Sequence, residues 1–188
     1  MKRILNLAIA ILVVTLSVTA QNYKVDASKS VLKWNGKKVT GEHHGKINLK
    51  EGNFEVKSDQ LTNGKFVIDM KSITNEDLEG EWNDKLVGHL KSDDFFGVET
   101  YPEAILVIKE SSKIINGKAK VKGNLTIKGI TNPIEFDAVQ NGNTFTATIT
   151  VDRSKFNVRY GSGKFFDNLG DKTIYDDFTL EVNLVASK

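Results

Sequence analysis

The stretch from Lys118 to Ile127 alternates apolar and polar side chains more cleanly than any other part of the chain. Successive side chains of a strand point to opposite faces, so one face here is apolar and the other carries Lys118, Lys120 and Lys122. The pattern predicts a strand with one face in water and an inner face of small apolar volume. The inner face consists of Ala119, Val121, Gly123, Leu125 and Ile127.

Similar alternation recurs in short segments along most of the chain. The predicted strands are 31–34, 46–50, 54–56, 65–71, 104–108, 118–127, 134–138, 145–151 and 178–184. The predicted turns between strands include Asn35-Gly36, Glu51–Asn53, Asn63-Gly64 and Asn141–Asn143. Many short alternating strands are typical of an antiparallel sheet, sandwich or barrel. A closed barrel of about eight strands has no free edges and can hold one small ligand.

A different periodicity begins at Thr74. Asp77 follows Thr74 at the spacing of a capping box, and four apolar residues then recur at every fourth position. These are Leu78, Trp82, Leu86 and Leu90. We expect a helix over about residues 76–91, although Gly80 inside it costs about 1 kcal/mol relative to alanine. The apolar stripe predicts packing against the sheet or across a barrel mouth.

Residues 1–20 differ in character from the rest of the chain. Lys2 and Arg3 precede an apolar run that ends near Val18, and small residues follow up to Ala20. This order is typical of a secretory signal peptide cleaved after Ala20. The alternative is a membrane anchor, but a spanning helix needs about 20 apolar residues and this run is shorter. We therefore expect one domain, residues 21–188, in the periplasm or outside the cell, without a transmembrane segment.

Composition narrows the classes of function. Without Lys2 and Arg3 the chain has 24 basic and 24 acidic residues, a formal net charge of zero. A neutral chain without a cluster of basic residues lacks the electrostatic footprint of nucleic-acid binding, so no nucleic-acid partner is expected. The chain has no cysteine, so it would fold without disulfides and no lipoprotein anchor is indicated.

Residues that could support catalysis are few. The histidines are His43, His44 and His89. The adjacent pair would point to opposite faces of a strand and chelate poorly, so no metal site is predicted. Gly161–Lys164 resembles the end of a phosphate-binding loop, but the first glycine and the final Ser or Thr of that motif are missing. An enzyme acting on an amphiphile would need a polar pair inside the barrel, for which Asp152 with Arg153 is the candidate.

Aromatic and arginine side chains concentrate in two predicted loops. The aromatic residues are Phe95, Phe96, Phe156, Tyr160, Phe165 and Phe166. They would plug a barrel end, contact a ligand, or do both. Arg153 and Arg159 are the only arginines after residue 20, and a guanidinium pairs bidentately with carboxylate or phosphate. Each would form an ion pair with a neighbouring acid such as Asp152 or Asp167, or anchor the head group of a ligand.

Four motifs occur in order along the chain. They are His89–Phe96, Tyr101–Ala104, Val121–Gly129 and Asp152–Phe156. Together with the opening Tyr23–Asp26, they resemble the YceI-like family of exported polyisoprenoid-binding proteins, over essentially all of residues 21–188. The resemblance implies an all-β fold, a lipocalin-like extended antiparallel barrel of eight strands. It further implies an elongated apolar pocket for a long isoprenoid lipid or quinone tail, no catalysis and no other cofactor.

Apolar residues on the predicted inner faces and at the predicted mouth are the candidate lipid contacts. They are Phe66, Ile68, Met70, Leu90, Phe95, Phe96, Val121, Leu125, Ile127, Phe136, Phe145 and Ile149. Arg153 and Arg159 are the candidate head-group anchors. Small residues at Ala119, Gly123 and Ala147 would leave room, so we expect Gly123→Leu to lower lipid uptake without unfolding the protein. A chain of about forty carbons gaining about 0.3 kcal/mol per heavy atom would bind with nanomolar affinity.

Two other functions remain open at this point. The first is an envelope stress-response or structural barrel that has a filled core and acts through a protein partner. The second is the enzyme acting on an amphiphile. A tube filled by its own side chains would contradict lipid binding. The sequence also leaves open which lipid binds and what the oligomeric state is, a dimer included.

Overall fold

The structure is a computed structural model that describes residues 19–188. The predicted signal peptide, residues 1–20, lies outside this range apart from its last two residues. The strands are β1 (Gln21–Val25), β2 (Val31–Lys38), β3 (Gly41–Lys57), β4 (Gln60–Asp69), β5 (Glu103–Ser111), β6 (Lys118–Ile127), β7 (Ile130–Asn141), β8 (Thr144–Asp152) and β9 (Ile174–Ser187). The helix is α1 (Gly80–Lys91), and the short 3₁₀ turns are Met70–Ser72, Arg153–Phe156 and Gly170–Lys172.

Eight of these strands close into an antiparallel barrel. The order around the wall is β2, β9, β8, β7, β6, β5, β4 and β3, and pairing of β3 with β2 completes the circle. β1 shares the position of β2 because it also pairs with β3 and β9, with Tyr23 opposite Phe54 and Val25 opposite Ala186. The predicted eight-stranded barrel with one helix is confirmed.

The alternating pattern is accurate where strands are regular. β6 has the predicted bounds, with buried inner side chains and exposed lysines. Asn141–Asn143 joins β7 to β8 as expected, and Gly142 has a φ of +59°, a left-handed conformation that glycine adopts readily. The hairpin between these strands was therefore predictable from local sequence alone.

Three turn predictions are wrong. Asn35-Gly36 lies within β2, Glu51–Asn53 within β3 and Asn63-Gly64 within β4. Gly64 serves close packing instead of a turn, because a Cβ there would lie 3.0 Å from Phe54 Cβ and 3.1 Å from Ile108 Cγ1. The turn between β3 and β4 is Ser58-Asp59, where both residues have positive φ. Glycine in this barrel therefore marks close packing at Gly64 and a turn at Gly142.

The predicted helix is present, but it begins at Gly80 instead of near residue 76. Gly80 has a φ of +56°, so a right-handed helix cannot extend to the residues before it. Asp77, expected to cap with Thr74, instead accepts a hydrogen bond from the His44 backbone N–H at 2.8 Å and pairs with His43 Nδ1 at 2.7 Å. These contacts hold the segment before α1 along β3.

The apolar stripe of α1 is only partly buried. Leu90 is buried and Leu86 packs against the core, whereas Trp82 is 70% exposed. The prediction that the stripe packs on the barrel therefore holds for the C-terminal half of α1 and is wrong for Trp82. Within residues 19–188, no helix is both long and apolar enough to cross a bilayer.

The two ends of the barrel are built differently. The hairpin end comprises the turns at 58–59, 112–117 and 142–143, and the helix end comprises the connections 70–102 and 153–173. At the hairpin end, Tyr23 and Phe145 pack on Phe54, each with ring centroids 4.8 Å away. At the helix end, the two long connections fold over the opening, and the first of them contains α1.

Candidate functional site

The barrel interior is not completely filled. A cavity of about 110 Å³ lies toward the hairpin end and a second, of about 120 Å³, toward the helix end. Four side chains line both cavities and mark their boundary: Ile68, Leu125, Val151 and Leu180. An apolar cavity of about 150 Å³ holds one benzene molecule. The interior is therefore a divided apolar tube with space on either side of a shared layer of side chains.

All twelve candidate lipid contacts lie in the walls of these cavities. The hairpin-end cavity is lined by Phe66, Ile68, Val121, Leu125, Phe136, Phe145 and Ile149. The helix-end cavity is lined by Ile68, Met70, Leu90, Phe95, Phe96, Leu125 and Ile127. The structure thus brings these residues together, while their contact with a lipid stays a prediction.

A row of three alanines makes much of the space in the hairpin-end cavity. Ala119 lies opposite Ala138, and Ala138 lies opposite Ala147, on three neighbouring strands. All three line the cavity. Alternation identifies each as a small inner residue, but their adjacency depends on strand register, which alternation does not give. The row as a unit was therefore not predictable, and Ala138 was not among the small residues expected to leave room.

Gly123 does not contribute to this space, contrary to the expectation from sequence. It lines neither cavity. A Cβ at Gly123 would lie 2.6 Å from the Val107 carbonyl oxygen and 3.3 Å from Leu106 Cδ1. The glycine instead permits close approach of β5 to β6 beside a bulge in their pairing. Gly123→Leu would therefore disturb the barrel wall, and Ala147 is the better position for filling the cavity.

Arg153 lies in the wall of the helix-end cavity and is only 2% exposed. Its hydrogen-bond acceptors are the carbonyl oxygens of Val158 (2.8 Å), Ile174 (3.0 Å) and Tyr175 (3.2 Å). Burial lowers the pKa of Arg153, and the carboxylates of Asp176 and Asp152 oppose that change. The guanidinium therefore ties together the two ends of the 153–173 connection. Three of its five N–H groups are used in these bonds, and a further ion pair joins Nη2 to Asp176 at 3.6 Å.

Arg159, the second candidate anchor, lies outside the tube. It is exposed, donates to the side-chain oxygen of Asn157 and lies 5.1 Å from the ring centroid of Phe165. It lines neither cavity. Arg153 therefore lies in the wall of the tube and Arg159 does not, a difference that the sequence did not reveal.

The loop aromatic residues divide into two groups. Phe95 and Phe96 are buried, pack edge to face at 4.9 Å and line the helix-end cavity, so they close the barrel end and also face its interior. Phe156 is buried in the core without lining either cavity. The others are about half exposed and line neither cavity: Tyr160 (49%), Phe165 (40%) and Phe166 (50%).

Contacts between distant motifs position Phe95. Lys128 Nζ donates to the carbonyl oxygen of Phe95 at 2.7 Å and to that of Asp93 at 3.2 Å. Burial lowers the pKa of Lys128, and the carboxylate of Asp93 opposes that change. Lys128-Gly129 forms the turn between β6 and β7, and the Tyr101 ring packs against Gly129, where a Cβ would lie 3.2 Å from Cε1. Residues from three of the four motifs thus meet at the helix end.

Asp152 and Arg153, the polar pair that an enzyme would need, do not converge inside the barrel. Asp152 accepts hydrogen bonds from the Ser154 backbone N–H at 3.0 Å and from Lys164 Nζ at 2.8 Å. Burial by itself would raise the pKa of Asp152, but the hydrogen bonds from Lys164 and Ser154 lower it overall. The carboxylate therefore caps the Arg153–Phe156 turn and lies outside both cavities.

The histidine pair on β3 has a structural role. Burial by itself would raise the pKa of Asp77, but hydrogen bonds from the His44 backbone N–H, His43 and Asn75 lower it overall. Asp77 thereby attaches the segment before α1 to β3. Among residues 19–188, no group of three or more His, Asp or Glu side chains is arranged to hold a metal ion.

His89 is a half-buried side chain at the helix end, with a buried Nε2 atom. Its Nε2 atom has no hydrogen-bond partner within the described part of the chain. The ring packs edge to face against Tyr160 at 4.3 Å and Phe95 at 5.6 Å. Burial lowers the pKa of His89, and the Asp94 carboxylate partly opposes this effect. The neutral imidazole is therefore favoured, and it links α1 to the exposed aromatic segment.

The closed wall and its divided apolar interior define a lipocalin-like barrel of the ligand-binding type. Residues 23–186 match the family described as YceI-like domain. The chain therefore belongs to the YceI-like family, and the resemblance carried by its sequence motifs is confirmed.

Individual relatives support this assignment. A UPF0312 protein of Pseudomonas putida (strain W619) is 31% identical over 126 residues, which cover 62% of this chain and 64% of that protein. The match thus spans just under two thirds of the length of that curated relative. Burkholderia cenocepacia BcnA has a TM-score of 0.63 and 25% identity, over 87% of this chain and 99% of BcnA.

A further solved structure shows likeness of fold alone. It is a polyisoprenoid binding domain from Saccharophagus degradans, implicated in plant cell wall breakdown. Its TM-score is 0.58 at 14% identity, over 88% of this chain and 97% of that domain.

Proposed function

We propose that the protein binds a long-chain isoprenoid lipid, either a polyisoprenoid or an isoprenoid quinone, and carries or stores it without catalysis. The observation that carries the proposal is the pair of apolar cavities in line inside the barrel. A barrel filled by its own side chains, acting through a protein partner, is not supported by this interior. The description of the Saccharophagus degradans domain supports the same class of ligand.

A long chain requires the shared layer between the cavities to rearrange. Each cavity alone is close to the size that holds one benzene ring, about 150 Å³. Ile68, Leu125 and Leu180 reach both cavities with flexible side chains, and their rotation would join the two spaces. Each ligand methylene buried in the joined tube would contribute about 0.8 kcal/mol. The ligand would thus add packing contacts inside the tube.

The polar end of the ligand is assigned to the helix end. Arg153 supplies a charged group to the wall of that cavity, and its donors suit a phosphate or a quinone carbonyl. At the hairpin end, Phe54 and Phe145 line the cavity, and the surface that this cavity offers is apolar. The tail would therefore point toward the hairpin end.

Tryptophan fluorescence tests this proposal. The chain has two tryptophans, of which Trp34 lines the helix-end cavity and Trp82 is exposed. Trp82→Phe therefore leaves a single reporter in the cavity wall. Titration with geranylgeraniol should give a saturable change in Trp34 emission with a Kd of about 1 μM or tighter. No saturable change, together with no bound lipid in native mass spectrometry, would overturn the proposal.

A matched pair of variants locates the ligand. Ala147→Leu adds three carbons to the wall of the hairpin-end cavity and should weaken geranylgeraniol binding about tenfold or more, since the lost volume excludes part of the chain. Lys122→Leu places the same leucine side chain on the exposed outer face of the barrel and should bind as wild type. Circular dichroism would establish that both variants fold.

We also propose that the protein acts outside the cytoplasm, supported by the charged start and apolar run of residues 1–20. N-terminal sequencing of protein purified from its native host should begin at Gln21. A chain that still carries Met1 would contradict cleavage.

A further inference from the structure

The barrel wall is incompletely hydrogen-bonded between β7 and β8. The strands pair at four positions, from Asn141 opposite Thr144 to Ala138 opposite Ala147. Beyond Ala138 and Ala147 both strands continue toward the helix end, over 130–137 and 148–152, without pairing to each other. The same residues remain paired on their other sides, β7 with β6 and β8 with β9. A slit therefore runs between two otherwise regular strands.

Along this slit, β7 has the features of an edge strand. Pro133 lacks a backbone N–H, and proline within a sheet is confined to edges and bulges. Glu135 and Asp137 are exposed charges, which discourage pairing with another molecule. The side chain of Asn132 donates to the Lys155 carbonyl oxygen at 2.9 Å and bounds the slit at the helix end.

The margins of the slit are also walls of the tube. Ile134 and Phe136 of β7 and Ile149 and Val151 of β8 line the hairpin-end cavity. Only apolar side chains therefore separate the slit from the cavity, with no backbone ladder between them.

The two ends of the barrel offer more obstructed routes. The hairpin end is closed by the packed rings around Phe54, and the helix end by Phe95 and Phe96 under the segment that Arg153 holds. Passage through either end would require displacement of buried aromatic rings. Passage through the slit would break no backbone pairing between β7 and β8 and would require rotation of the side chains on its margins.

We propose that the slit between β7 and β8 is the portal through which an isoprenoid chain enters the tube sideways, an inference that rests on the proposed lipid binding. A lateral portal suits this ligand because a long chain with a polar head need not be threaded end first. The slit extends toward the helix end, so the head group would remain near Arg153 while the tail moves inward. The backbone ladders on either side stay intact.

Cross-linking tests the portal, and the natural chain has no cysteine to interfere. In the Trp82→Phe background, Glu135→Cys with Thr150→Cys places thiols on opposite margins of the slit, where a short bis-maleimide can join them. The matched control is Thr150→Cys with Thr179→Cys, whose positions are paired across β8 and β9. The rate of geranylgeraniol uptake is read from Trp34 fluorescence before and after cross-linking, and the melting temperature shows that the barrel remains folded.

Cross-linking the slit should slow uptake at least tenfold without weakening the final affinity, whereas cross-linking β8 to β9 should leave the rate unchanged. Equal uptake rates before and after cross-linking the slit would overturn the portal while leaving lipid binding intact. Slower uptake in both pairs would also overturn it, because the effect would not be specific to the slit. Absence of binding before any cross-linking would overturn the proposed function and the portal together.

Discussion

The two ends of the barrel close the same tube by different physical means. At the hairpin end, Tyr23, Phe54 and Phe145 are buried rings in mutual contact, and short turns join the strands. At the helix end, a buried arginine and a lysine bind backbone carbonyls, and three aromatic residues remain about half exposed. The hairpin end therefore contributes mainly stability, while the helix end combines packing with polar contacts that a ligand head group can use.

The largest effect expected from this difference is at Phe54. Phe54→Ala should lower the free energy of unfolding by about 3–5 kcal/mol, since it leaves a cavity among buried rings. Phe165→Ala removes the same side chain from the helix end, where 40% of it is already exposed, and should cost about 1 kcal/mol or less. Urea denaturation measures both. Similar decreases in the free energy of unfolding for the two variants would contradict the proposed difference between the two ends.

The two arginines provide the next comparison, entirely within the helix end. Arg153→Met should cost about 3 kcal/mol, because three carbonyl oxygens and Asp176 lose their buried cationic partner. Arg159→Met should be nearly neutral because that side chain is exposed. Hydrogen exchange should show faster exchange within 153–173 for the Arg153 variant only. Unchanged protection there would contradict its role as a clamp.

The smallest effect expected is a pH dependence at His89. Its folded pKa is lowered by burial, so its contribution to stability is complete above the unfolded pKa and is lost as pH falls through the folded value. Acidification from about pH 7.5 to about pH 5.5 spans the ordinary histidine range. His89→Phe keeps the aromatic contacts with Tyr160 and Phe95 but cannot be protonated, so its melting temperature should fall less over this range. An equal fall in both proteins would argue against the His89 imidazole as a pH-sensitive contact.

Features set by the local pattern of side chains could be predicted from the sequence. Features set by contacts between distant segments could not. The period of two in β6 fixes which side chains face inward, and it gave the bounds of this strand and its candidate lipid contacts Val121, Leu125 and Ile127 directly. Register is set by pairing between distant segments. The alanine row and the interrupted ladder of β7 and β8 were therefore invisible in any single strand.

Glycine and charged residues were ambiguous for a related reason. Gly64 and Gly123 allow close packing between strands. A glycine in the sequence is equally consistent with a turn or with space in the interior, so the sequence alone does not reveal this role. Asp77 and Arg153 find partners fixed by the fold, so neither the later start of α1 nor the separate roles of the two arginines follows from local spacing.

The most direct test of the central claim is native mass spectrometry of the protein purified gently from its native host, followed by solvent extraction of any bound molecule. We expect one isoprenoid lipid or quinone per barrel, reduced in the Ala147→Leu variant and retained in Lys122→Leu. A ligand-free mass, with no uptake when prenyl lipids are added, would contradict lipid binding in the tube.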